Sequence, residues 1–187
     1  MNNRFDISET PLLGLRILER KPIGDSRGYL ERLFCRDELV ELLPRKQIIQ
    51  INQTLTSVRG TVRGLHFQHR PYSETKIVSC LEGEVFDVAI DLRHTSPTYL
   101  MWHGEVLSPG NHKTFLIPDG FAHGFQTLSD TCRMMYFHTA PYNQQAEGGL
   151  SPTDPKLAIN WPLPLVNVSE RDMSHPLIDD NFQGVDI

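Results

Sequence analysis

Glu84 to Leu92 reads EVFDVAIDL, and its alternation decides the fold class. Phe86, Val88, Ile90 and Leu92 share one side of an extended chain, while Asp87 and Asp91 share the other. The same short, strand-like texture recurs around it. Lys76–Leu81 (KIVSCL), Thr98–Leu107, Lys113–Ile117 and Cys132–Thr139 are further strand candidates. Turn signals separate them: EGE at 82–84, HTSP at 94–97, SPGN at 108–111, PDG at 118–120 and LSD at 128–130. Short strands at a spacing of roughly 8–12 residues indicate a sandwich or barrel. The lack of long helical segments between strands argues against βαβ units. One stretch reads as helix, Arg36–Leu43 (RDELVELL), with Pro44 as its stop. The Pro-rich tail SPTDPKLAINWPLPLVNVSERD, 151–172, cannot sustain long ladders or helices and is expected to wrap the barrel.

At 187 residues the chain reads as one domain, 1–187. A chain this long buries roughly 70% of its unfolded surface, so its core needs no staples. Lys and Arg number 18 against 23 Asp and Glu, a net charge of −5. Without clustered basic residues it is not expected to bind nucleic acid, although a small phosphorylated ligand can sit in a locally basic pocket. No apolar run approaches the roughly 18–20 residues of a membrane span, and MNNRFDISETPLLGL does not read as a secretory signal. Cys35, Cys80 and Cys132 are scattered and odd in number, which suits buried thiols in a reducing cytoplasm.

Common catalytic signatures such as GxGxxG, the P-loop, GxSxG and HExxH are missing. Two strand-like segments instead carry polar residues. In RGLHFQ, 63–68, strict alternation sends Arg63, Leu65 and Phe67 one way and Gly64, His66 and Gln68 the other. His66 is then either a general base on the inner face of a barrel or a hydrogen-bonded core histidine. The second segment is IPDGFAHGF, 117–125. Its Pro-x-Gly turn followed by His123 resembles the second motif of cupins, small jelly-roll barrels. Metal-binding cupins carry a His-x-His pair in the first motif. Here that stretch is His66-Phe67-Gln68, and no Glu follows before Glu74, so no metal is expected. His123 is left as a pocket residue or a structural histidine.

Taken together, the motifs resemble the dTDP-4-dehydrorhamnose 3,5-epimerase family. They are RGLHFQ, ETKIV at 74–78, GEVFDVAIDLR at 83–93, SPT at 96–98, IPDGFAHGF, Tyr136, AEGG at 146–149, WP at 161–162 and SERD at 169–172. They occur in the family's order from about Asp6 to Asp179. The resemblance implies an all-β, cupin-type jelly-roll barrel with one or two short helices. It also implies a homodimer and no metal or organic cofactor. The implied activity is an isomerase's: epimerisation at C3 and C5 of dTDP-4-dehydro-6-deoxy-D-glucose, a nucleotide-linked 4-keto sugar, in dTDP-L-rhamnose or related deoxysugar biosynthesis.

The residues suit that chemistry. A C4 ketone acidifies the hydrogens on C3 and C5. Inversion needs a base, a group that stabilises the enolate, and an acid on the opposite ring face. By resemblance His66 is the base, Asp172 the carboxylate that orients it, Lys76 the cation beside the C4 oxygen and Tyr136 the acid. Arg27 and Arg63 match pyrophosphate ligands, for which the guanidinium fork is suited. Gln50 and Asn52 match further nucleotide contacts, and His123 and Tyr142 positions near the sugar. Arg32 stands where the family usually has a Glu that approaches the base. Pro152 and Thr153 replace the first residues of a Trp-Asp-Asp-Pro. Ser79 replaces a basic residue, and Phe137 and His138 follow the Tyr where a Lys is often found. Three other readings stay open: inversion at C3 or C5 alone or on another sugar nucleotide, a non-catalytic sugar-nucleotide-binding cupin, and a metal-dependent cupin.

Overall fold

A computed structural model describes residues 3–187. Its strands are β1 (Phe5–Glu9), β2 (Arg16–Arg20), β3 (Ile23–Asp25), β4 (Gly28–Leu30), β5 (Gln50–Ser57), β6 (Val62–Gln68), β7 (Lys76–Glu82), β8 (Val85–Asp91), β9 (Trp102–Leu107), β10 (Lys113–Ile117), β11 (Phe121–Thr127), β12 (Thr131–His138) and β13 (Glu147–Gly149). A six-stranded sheet runs β1–β2–β10–β7–β12–β5, and a five-stranded sheet runs β13–β6–β11–β8–β9. β3 and β4 form a separate hairpin. Every pairing between these strands is antiparallel. This is the all-β, cupin-type jelly roll expected from the sequence.

Three apolar cores hold it. Leu15, Val78, Val85, Ala89, Phe115, Phe125 and Met134 fill the space between the sheets. Cys80 and Cys132 are buried there too and behave as small hydrophobes. Leu65, Phe67, Val88, Ile90 and Leu92 form a second core on the outer face of the five-stranded sheet, where Leu157, Ile178 and Val185 of the tail cover them. The tail thus wraps the barrel. Leu18, Ile77, Leu116 and Phe137 pack with Leu39 and Leu43 as the third core. Burying each of the larger side chains contributes about 1.5–3 kcal/mol.

Several local expectations are corrected. Arg36–Leu43 is not a helix but a series of turns. The Leu39 and Leu43 amides donate to the carbonyls four residues back, Cys35 and Leu39, and the pattern stops at Pro44. Eight residues fall short of the roughly 12–15 a self-supporting helix needs, and Leu39 and Leu43 are held individually by the core. Among the described residues the one helix is α1 (Glu170–Ser174), inside the tail. β9 begins at Trp102 rather than Thr98, because Ser96 and Thr98 donate to the Asp91 carboxylate and hold a turn.

Strict alternation also fails in β6. His66 pairs with His123 and Arg63 with Phe125, so Gly64 and Leu65 stand opposite the single Gly124. This two-against-one bulge turns Arg63 to the same side as His66, while Leu65 and Phe67 stay in the outer core. Glycine is required on both strands. A Cβ on Gly64 would lie 2.6 Å from the Gly124 Cα, and one on Gly124 would lie 2.7 Å from the Arg63 carbonyl oxygen.

Candidate active site

A cavity of about 630 Å³ opens between the two sheets. From the five-stranded sheet, β6 contributes Arg63 and His66, and β11 contributes His123. From the facing sheet, β5 contributes Asn52 and Thr54, β7 contributes Lys76, and β12 contributes Tyr136 and His138. The tail closes one side with Asn167, Ser169, Arg171 and Asp172.

Asp172 reaches His66 from 106 residues away in the chain. Ser169 caps α1 by accepting the Asp172 amide at 3.0 Å, which aims the Asp172 carboxylate back at β6. One carboxylate oxygen lies 2.8 Å from His66 Nε2 and the other accepts the Gly64 amide at 3.2 Å. Burial acts to raise the Asp172 pKa, but the hydrogen bond and charge of His66, with the amide bond, outweigh it and hold the carboxyl at about 2. Asp172 is therefore ionised at neutral pH. The Arg171 guanidinium makes two hydrogen bonds of 3.1 Å to Glu147 and also lies 3.0 Å from His66 Nε2.

Two more imidazole–carboxylate pairs face the same space. His123 Nε2 lies 2.8 Å from Oδ1 of the fully buried Asp87, whose pKa is pushed up by burial against the pull of His123. His138 Nδ1 lies 2.7 Å from Glu74 Oε2, and Lys76 Nζ lies 3.4 Å from Glu74 Oε1. Tyr136 sits between the His123 and His138 rings, with centroids 6.2 and 6.1 Å away. Its hydroxyl lies 3.3 Å from Thr54 Oγ1. Burial and the nearby Asp87 charge raise the Tyr136 pKa, against the Thr54 bond and Arg63. The phenol therefore keeps its proton at neutral pH.

His66, Asp172, Lys76, Tyr136, Asn52, Arg63 and His123 from the sequence reading thus meet in one cavity. The other four residues do not line it. Tyr142 stands outside it, donating its hydroxyl to Glu147 and its amide to Gln50. Arg27 is exposed on the β3–β4 hairpin and paired with Asp25, and Arg32 is paired with Glu38. Asp87, Glu74, Glu147 and Arg171 were not singled out by sequence. The alternation of 84–92 sets Asp87 apart, yet nothing local says that its side faces inward.

His66, Asp172 and His175 bring three possible metal-ligand atoms within 4.8 Å of one another. Two of these residues already share a hydrogen bond, and the Arg171 guanidinium against His66 opposes a cation there. This donor set does not fit a metal centre.

The chain matches the family model described as dTDP-4-dehydrorhamnose 3,5-epimerase over residues 9–180. A dTDP-4-dehydrorhamnose 3,5-epimerase of Methanothermobacter thermautotrophicus is 40% identical over 180 residues, 95% of this chain and 96% of the relative. A dTDP-4-dehydrorhamnose 3-epimerase of Streptomyces niveus is 37% identical over 156 residues, 83% of this chain and 75% of the relative. The crystal structure of a dTDP-6-deoxy-D-glucose-3,5-epimerase from Legionella pneumophila, in complex with dTDP-4-keto-L-rhamnose, superposes with a TM-score of 0.90. It is 38% identical, and the match covers 98% of this chain and 99% of that one.

Proposed function

Because the chain belongs to the dTDP-4-dehydrorhamnose 3,5-epimerase family, and is an isomerase by that membership, we propose that it inverts C3 and C5 of dTDP-4-dehydro-6-deoxy-D-glucose with the residues of this cavity. One observation carries the assignment of roles. His66 and Tyr136 enter the cavity from opposite sheets, so a sugar ring held between them meets a base on one face and an acid on the other. The Asp172 carboxylate accepts a hydrogen bond from the His66 Nε2–H, which leaves Nδ1 as the nitrogen that accepts the substrate proton. The ammonium of Lys76 stabilises the charge that moves onto the C4 oxygen. Tyr136 then delivers its proton to the ring carbon from the other side. Solvent returns both groups to their starting state. Arg63 is the cavity guanidinium suited to the pyrophosphate.

Incubation with the 4-keto sugar nucleotide in deuterated water, read by NMR, tests the reading. Deuterium is expected at both C3 and C5 of the product. Deuterium at one carbon alone favours the single-centre reading, which the 3-epimerase relative keeps in view. No exchange at all overturns the enzymatic assignment.

The chain is further read as a cytoplasmic homodimer. No helix is long and apolar enough to cross a membrane among the described residues. β5 ends its sheet with Ile51 and Leu55 exposed, and the β3–β4 hairpin exposes Ile23, Tyr29 and Leu30. A bare apolar edge of this kind is a template for pairing between chains. A partner copy is also a means by which Arg27 and Arg32 could serve a cavity that their own chain does not bring them to. Sedimentation at micromolar concentration is expected to give a dimer, and a monomer alone excludes it.

A further inference from the structure

His138 stands directly opposite Lys76 in the β12–β7 ladder, so their side chains emerge on the same inner face. Glu74, two residues before Lys76, lies against both. It splits its two oxygens, with Oε2 at 2.7 Å from His138 Nδ1 and Oε1 at 3.4 Å from Lys76 Nζ. The three side chains are nearly dry, 7% exposed for Glu74 and 12% for each of the other two. On its far side His138 Nε2 lies 3.4 Å from Asn52 Nδ2. These partners suit an imidazole that accepts from the amide through Nε2 and donates to the carboxylate through Nδ1. In so dry a setting a carboxylate held wholly by Lys76 would offset much of the charge that the ammonium offers a developing enolate.

We propose that His138 is a positioning residue for the epimerisation. By engaging one oxygen of Glu74, it fixes the carboxylate and draws part of its charge away from Lys76, leaving the ammonium available to the C4 oxygen. This rests on the reading of Lys76 as the group that meets the enolate. His138 does not itself touch the reacting atoms.

The test is a double-mutant cycle read as solvent deuterium exchange at the sugar carbons, with kcat and KM separated. His138→Phe should lower the exchange kcat by about tenfold, within the range of couplings between residues in contact, and leave KM little changed. In a Glu74→Gln background the same substitution should have no further effect, because His138 acts only through that carboxylate. His138→Gln retains an N–H donor and should restore part of the loss, which also guards against a mere packing defect in the Phe variant. Equal losses in both backgrounds overturn the proposal. So does a change confined to KM, or a Gln variant as impaired as the Phe variant. Lys76→Met separates the two layers. If it abolishes exchange while His138→Phe has full activity, only the His138 proposal fails. If exchange survives in Lys76→Met, the Lys76 assignment fails and the His138 proposal falls with it.

Discussion

Replacing His66 by Ala lowers turnover by about 10²–10⁴-fold, the usual contribution of a positioned general acid–base group. The imidazole carries the only assigned route for the C–H proton out of the sugar. Asp172 cannot take over freely: one of its oxygens is held by the Gly64 amide at 3.2 Å, and a carboxylate is intrinsically a much weaker base than an imidazole. His123 does not substitute freely either, because it is set deeper in the wall, its side chain 7% exposed against 29% for His66. Affinity for the nucleotide portion should change little, since Arg63 keeps its bond to Thr56 at 2.9 Å and its place in the cavity wall. Steady-state kinetics beside calorimetric titration of dTDP measure both quantities. An alanine variant with near-full activity removes His66 from the base role. A parallel loss of dTDP binding points instead to a collapsed site.

Tyr136→Phe is expected to uncouple proton loss from inversion. The substitution keeps the ring between His123 and His138 and deletes only the hydroxyl and its contact with Thr54, so the fold should be little affected. Proton abstraction remains possible, because His66, Asp172 and Lys76 are untouched. The enolate then returns its proton mainly on the face of the base. Deuterium should still wash into the substrate while inverted product falls by an estimated 10²-fold or more, the lower end of the range for a lost general acid. The quantity to measure is deuterium incorporation divided by product formed, in wild type and variant. An unchanged ratio takes Tyr136 out of the acid role and leaves it a packing residue.

Much of this site was legible before folding. RGLHFQ and ETKIV mark His66 and Lys76 by family likeness, and the Tyr136 strand is plain from its apolar run. Asp172 was legible only through that likeness, because a carboxylate 106 residues from its imidazole has no local signature. Arg171, its neighbour, has no local signature either. In the fold it bridges Glu147 and His66 because Ser169 caps the turn that carries it. Arg63 was assigned the wrong face. A glycine inside a strand is the one sequence hint of a bulge, but it does not say which partner residue the extra position will face.

By itself the sequence determined the class of architecture and, outside the β6 bulge, which side chains share a face. Both follow from the period of two in an extended chain and from turn residues at short spacing, and these are local properties. Only the tertiary structure decided which face is inside. β8 is buried on both sides, with Asp87 behind the cavity residue His123 and Val88 and Ile90 under the tail, so polarity alone could not orient it. The tertiary structure also decided against a helix at 36–43, where individual leucines are held by the core more firmly than eight residues can hold themselves helical. And it alone paired each imidazole with its carboxylate, because such a pair is made by sheet packing and a returning tail, whose contacts join residues that no local pattern connects.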